Sequence, residues 1–288
     1  MRMWTGLALA LSIAACSVPS SPQPSELFSG EIALQLVAVQ MDFGPRVPGS
    51  PAHQATGDWI LDQLQQAGWE TDAQTFEVEG LHLRNLIGRA GPASGEPYLL
   101  GAHYDTRPFA DRDPAFPDRP VPGANDGASG VAVLLELARV LDTQRLPQPV
   151  WLVFFDGEDG GGLAGRDWLL GSRYFAHHLT AHPAAVVVVD MVGDADLGLY
   201  FEQNSDLALA SAIWATANQL GYQAFIPFPK YAIYDDHVPF LELGIPAVDI
   251  IDFDYPHWHT TQDTLDKVSA GSFEQVGRTL QTWLGTIR

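Results

Sequence analysis

Apolar and polar positions follow one another along this chain in blocks of helix or strand period, and after about residue 30 no linker interrupts them. Residues 30–42 (G-E-I-A-L-Q-L-V-A-V-Q-M-D) space their apolar groups as one helix face does. The next stretch, F-G-P-R-V-P-G-S-P, breaks that spacing with its prolines and glycines. A second amphipathic helix over 52–67 is closed by Gly68. Period-two alternation predicts a strand over about 71–79, and R-N-L-I-G (84–88) suggests another. Residues 97–103 read as a buried strand, and the polar, Pro-rich stretch 107–122 after it as a loop on the rim of a site.

Downstream, an apolar helix is expected over 127–142, and 150–156 is a continuous apolar strand of the kind buried on both faces. A glycine-rich loop (160–165) leads to a helix near 172–178, and 185–192 is the most strand-like run of all. Helices over 206–220, 235–243 and 269–285, with a strand at 246–251, complete the chain. Strands alternating with helices predict one α/β domain over 30–288, a central, mostly parallel (mixed) twisted sheet with helices on both faces.

Composition changes this picture little. With 288 residues, 46% hydrophobic and 17% charged, the chain can bury a full core. Its formal charge of −20 lacks the clustered cations that nucleic acid binding needs, and suits a metal or a substrate with a free amine. The N-terminus stands apart. Arg2 precedes an apolar run (7–15) too short to span a membrane, so 1–15 read as a signal peptide. The run ends I-A-A-C, resembling a bacterial lipobox, which implies lipidation of Cys16 and anchoring in the cell envelope. Ser17 points to the periplasmic face of the outer membrane in a Gram-negative host. Residues 16–29 then form a Pro/Ser-rich tether, and with Cys16 the only cysteine no disulfide forms within the chain.

Several short polar stretches lie just after apolar runs: G-A-H-Y-D (101–105), F-F-D-G-E-D (154–159), V-V-V-V-D (186–190) and W-H-T (258–260). With A-N-D-G-A-S-G (124–130), whose glycines permit a sharp turn into the helix, they supply His103, Asp126, Asp159, Asp190 and His259. In open α/β sheets ligands bind outside the carboxyl ends of strands. Imidazole nitrogens and carboxylate oxygens are zinc donors. Two metals would share Asp126, with His103 and Asp190 on one side and Asp159 and His259 on the other; one metal would keep Asp126, Asp159 and His259. Glu158, beside a ligand but free of the metal, suits general acid–base work.

From about residue 30 onward the chain resembles the zinc aminopeptidase superfamily and, within it, the glutaminyl cyclases. The general pattern matches H-Y-D (103–105), N-D-G-A-S-G (125–130), E-D (158–159), Asp190 and His259. More specific are F-F-D-G-E (154–158), D-W-L-L-G-S-R-Y-F-A (167–176), Y-D-D-H-V-P-F-L (234–241) and W-H-T (258–260). The resemblance implies one zinc on Asp126, Asp159 and His259, with two as the alternative. It implies Glu158 as proton shuttle, Asp190 and Asp235 as a carboxylate network around it, and Trp258 as a pocket wall. The implied reaction is cyclisation of the N-terminal glutamine of peptides or proteins to pyroglutamate with loss of ammonia, by a monomer. The rival is a two-zinc aminopeptidase; a binding lipoprotein without catalysis is a third reading.

Two departures stand out. Asp159 replaces the glutamate usual at that ligand position, and G-G-G-L-A-G (160–165) stands where animal enzymes carry an aromatic pocket residue. Trp168 or Tyr255 is expected to fill that side. His177, His178 and His182 have plain structural readings at a helix end; Ser172 is read as a helix start or a substrate contact, and His237 as a helix-start packing residue or, as the resemblance implies, a hydrogen-bonding group within the site.

Overall fold

The computed structural model describes Met1 and residues 27–287, so the expected signal peptide, Cys16 and most of the tether lie outside the described residues. Two helices, α1 (Gly30–Phe43) and α2 (Pro51–Gln66), precede the sheet, each opened by a serine whose hydroxyl accepts a backbone N–H of the first turn. The strands are β1 (Glu70–Val78), β2 (Leu81–Ala90), β3 (Tyr98–His103), β4 (Val150–Phe155), β5 (Ala185–Asp190) and β8 (Ala247–Ile251), in spatial order β1-β2-β4-β3-β5-β8. The β1–β2 and β2–β4 pairs are antiparallel and the β4–β3–β5–β8 block is parallel, the mixed sheet expected.

The continuous apolar runs behave as double-sided strands. In β4, Val150, Leu152 and Phe154 enter the larger core, while Trp151, Val153 and Phe155 face the other. The larger core is covered by α1, α2, α3 (Ala128–Val140), α5 (Leu207–Leu220) and α7 (Ala270–Leu284). The smaller holds α4 (Leu170–His177) and α6 (Val238–Glu242) through Phe175, Ala176 and Phe240. Burying each such aliphatic or aromatic side chain contributes about 1.5–3 kcal/mol relative to exposure.

Helix α3 is buried at every position but Arg139 and lies close against the sheet. Gly130 makes that approach possible, since a Cβ there would stand 2.1 Å from the Val189 carbonyl oxygen. A small parallel pair, β6 (Leu199–Phe201) and β7 (Phe225–Pro229), stands beside the main sheet without a periodic signature in the sequence. Three residues are too few to show a period, and β7 carries two prolines. No helix among the described residues is long and apolar enough to cross a membrane.

Candidate active site

The parallel strands end at a common edge, where the chemistry collects. His103 is the last residue of β3, Asp190 the last of β5, and Glu158 and Asp159 follow β4. His259 stands in the loop after β8. Asp126 is not at a strand end: it lies just before α3, and a bound loop rather than a strand places it. The backbone N–H groups of Asn125 and Asp126 donate to the two carboxylate oxygens of Asp263, at 2.8 and 3.1 Å, and the Tyr255 hydroxyl donates to Asp263 at 2.7 Å.

Two triads share Asp126. His103 Nε2 lies 3.1 Å from Asp126 Oδ1 and 3.2 Å from Asp190 Oδ1. His259 Nε2 lies 3.0 Å from Asp159 Oδ1 and 3.8 Å from Asp126 Oδ2. All five side chains are buried. The second triad fits a metal on its own evidence: Asp126 Oδ2 and Asp159 Oδ2 are buried with no hydrogen-bond partner. Unpaired buried carboxylate oxygens are costly, and a cation satisfies them. Electrostatics agrees. Burial, followed by the Asp126 charge, pushes Asp159 up to about 6, and burial pushes Asp190 up to about 7. Burial also works to raise Asp126, but His103, His259 and Arg107 outweigh it and hold that carboxyl below its ordinary value. Imidazole and carboxylate donors in a closed triad are a zinc set.

A second set of contacts holds the loop that carries Glu158 and Asp159. Asp105 accepts the Glu158 N–H through one oxygen and the Asp159 N–H through the other, both at 3.1 Å. Arg107, paired with Asp111, donates to the Asp159 and Gly161 carbonyls. Asp156 anchors the loop's start, accepting from His53 Nε2 (2.8 Å), the Arg84 N–H (2.8 Å) and the Tyr104 hydroxyl (3.0 Å). Sequence reasoning assigned none of Asp105, Arg107, Asp156 and Asp263 a role. The available signal was an acid directly after an apolar run, as in H-Y-D and F-F-D, where an unpaired carboxylate would not be buried.

Glu158 lines a pocket of about 280 Å³ together with Asp126, Asp159, Asp190, Asp235 and His259. Its carboxyl is well above the usual range, first through burial and then through the charges of Asp235, Asp159 and Asp236, against the opposing pull of His103. The network expected around it is arranged differently. Asp190 bonds to His103, Asp235 accepts the Asp236 N–H, and among the described residues no direct hydrogen bond joins Glu158 to either acid. Of the two, Asp235 acts on Glu158 through its charge. His237, buried, places Nε2 3.1 Å from Glu202 and opens α6.

Trp258, Phe253, Ile251 and Ile233 form the apolar walls. Trp258 packs on the His259 ring at 4.0 Å between centroids. On the glycine-loop side, Trp168 supplies the wall, parallel to His259 within 9°. Gly161 makes room for it: a Cβ there would fall 2.0 Å from the indole. Tyr255 does not share this task. Its hydroxyl turns to Asp263, so it stands outside this wall, and it lines instead the shallower pocket that shares Phe253 and Trp258. The methylene lost at Asp159 leaves its carboxylate in contact with His259.

The family model for peptidase family M28 matches residues 85–284. Among solved structures, the chain is similar to the glutaminyl cyclase of Porphyromonas gingivalis (38% identity, TM-score 0.85, covering 90% of this chain and 98% of that one). It is also similar to the glutaminyl cyclase of Bacteroides thetaiotaomicron bound to N-acetylhistamine (32%, TM-score 0.87, 92% and 100%). Among curated proteins, the glutaminyl-peptide cyclotransferase of Bos taurus is 29% identical over 283 residues, 83% of this chain and 77% of its own length.

Proposed function

Because the chain belongs to peptidase family M28 and matches a bacterial glutaminyl cyclase almost end to end at 38% identity, we propose that it is a glutaminyl-peptide cyclotransferase. It converts the N-terminal glutamine of peptides or proteins to pyroglutamate and releases ammonia. The pocket carries this reading. It is small, walled by Trp258, Phe253 and Trp168, and its lining includes five carboxylates, Asp126, Glu158, Asp159, Asp190 and Asp235. Such a space takes one terminal residue with its free amine.

A zinc ion on Asp126, Asp159 and His259 would supply a Lewis acid for the γ-carbonyl of the glutamine. The protein's own residues do the rest. The aromatic walls hold the side chain folded back on its own amine, and nucleophile and electrophile then meet without a bimolecular step. Glu158 accepts the proton that the α-amine loses as its nitrogen bonds to the γ-carbon. It returns that proton to the amide nitrogen as the carbon–nitrogen bond breaks, so the leaving group departs as ammonia and no net proton remains on the enzyme. A carboxyl raised by burial and neighbouring charge is matched to both transfers.

One zinc is the proposed content. The His103–Asp126–Asp190 triad could hold a second, as an aminopeptidase would use it, but the unpaired buried oxygens, Asp126 Oδ2 on the His259 side and Asp159 Oδ2, favour the other triad. We further propose attachment to the bacterial envelope through lipidated Cys16 and action as a monomer; the I-A-A-C motif supports the first. The test is mass spectrometry of a glutamine-initiated peptide beside a leucine-initiated one, with zinc-loaded protein. The expected result is loss of about 17 mass units from the glutamine peptide alone, arrested by chelator and absent in Glu158→Gln. Removal of the first residue from either peptide would replace the cyclase reading with the aminopeptidase one.

A further inference from the structure

Beside the catalytic pocket lies a second, shallower one of about 520 Å³, lined by Arg112, Phe253, Tyr255, Pro256, Trp258 and Thr260. The two share Phe253 and Trp258, so whatever leaves the first over the indole enters the second. Arg112 is the one ion in this lining. Its guanidinium sits over the Trp258 ring at 4.0 Å, and its backbone N–H donates to the His259 carbonyl at 3.3 Å, fixing it to the segment that closes the site. The side chain is exposed, and no carboxylate among the described residues pairs with it. Other cations at this rim are engaged: Arg107 is bound to Asp111, and Lys230 to Asp254.

Resting on the cyclase reading, we propose that this second pocket receives the residue following the glutamine, and that Arg112 selects a carboxylate there. The substrate is then read as a dipole. Its amine enters a pocket whose ionisable groups include Asp126, Glu158, Asp159, Asp190 and Asp235, while the segment behind it meets a single stacked guanidinium. Stacking on Trp258 occupies the face of the guanidinium and leaves its N–H edges for a planar acceptor. The preference runs against the field of the whole molecule, which at a formal −20 repels acidic peptides. The carboxylate comes either from an acidic side chain or from the free C-terminus of a dipeptide.

The experiment measures ammonia release by the full zinc-loaded protein. One substrate pair is Gln-Glu-Phe-amide and its isosteric neutral partner Gln-Gln-Phe-amide; the other is Gln-Ala with a free carboxylate and its amide. Each variant supplies its own ratio of kcat/KM, so partial loss of folded protein cancels. The wild type should favour the charged member by about fivefold at low salt, in keeping with an exposed ion pair, and less as salt rises. Arg112→Ala should bring the ratio to one or below, where the field of the whole molecule leaves it, and Arg112→Glu should invert it further. Loss of preference in the glutamyl pair alone identifies a side-chain carboxylate, and in the dipeptide pair alone a terminal one. Ratios unchanged in both pairs would overturn the assignment and leave Arg112 as a clamp on Trp258. No ammonia from any glutamine substrate with the wild type would overturn the cyclase reading, and this proposal with it.

Discussion

Replacing Asp105 by asparagine changes one atom and removes the single group that orients both Glu158 and Asp159. The carboxylate is fully buried and accepts two backbone N–H groups, one on each oxygen, at 3.1 Å. An asparagine keeps one acceptor and turns an NH₂ toward the other N–H. One hydrogen bond loses its charge assistance and the other is replaced by an unsatisfied buried donor, which costs about 1–3 kcal/mol. Together these amount to about 3 kcal/mol, well inside the 5–15 kcal/mol by which domains are stable, so the variant should fold. For a chain of this length that corresponds to a fall in melting temperature of roughly 6–12 °C. The catalytic effect should be larger in proportion, because a displacement of about 1 Å in the Glu158 loop costs on the order of a hundredfold in rate. Calorimetry beside steady-state ammonia release reads both. A variant with wild-type melting temperature and turnover would show that Asp105 orients neither residue.

Glu158→Gln should retain zinc, measured by metal analysis, while losing a hundredfold or more of its rate, the usual share of general acid–base catalysis. Asp126→Asn should fail to retain stoichiometric zinc, because both triads lose their shared carboxylate. The metal-free protein should lose stability as pH rises. Asp159, Asp190 and Asp263, raised by burial to about 6, 7 and 7, hold protons in the folded state that the unfolded chain has released. Between the ordinary carboxyl range near 4 and those values each contributes a fall of up to about 1.4 kcal/mol per pH unit. Thermal melts across pH 5–8 in the presence of chelator should show the decline, and zinc should reduce the part due to Asp159. Gly130→Ala should destabilise the fold severely, since its new methyl meets the Val189 carbonyl at 2.1 Å; a wild-type melting temperature would refute the proposed closeness of α3 to β5.

Much of this architecture can be read in the chain because its strands are apolar throughout and its helices are punctuated. Residues 150–155 and 185–190 are each unbroken apolar runs, apart from the closing aspartate of the second, and all are buried as such runs must be. Helix α2 begins beside Ser50 and Pro51 and stops at Gly68, where the positive φ suits glycine. The five metal-type residues could be singled out because His103, Asp159, Asp190 and His259 fall in short polar stretches after apolar runs, and Asp126 in a glycine-bracketed turn before a helix. Their support is not legible in the same way. Asp105, Asp156 and Asp263 act by accepting backbone N–H groups from distant segments, and such partners leave no periodic trace. Tyr255 lies off the catalytic pocket's wall for a related reason: its hydroxyl turns inward to Asp263, and it lines the adjoining pocket instead.

The contact between Asp263 and the turn at Asn125 and Asp126 spans more than 130 residues, and it has a bearing on when metal can be captured. The donors at 126, 159 and 259 are carried on segments that become neighbours only when the parallel block is assembled. A chain stalled before its last thirty residues would lack both His259 and the acid that fixes Asp126. Such non-local closure comes late in folding. Zinc uptake should therefore report a finished molecule: a partly synthesised or partly unfolded chain has scattered ligands and no reason to sequester the ion, and a metallated one has already completed its sheet.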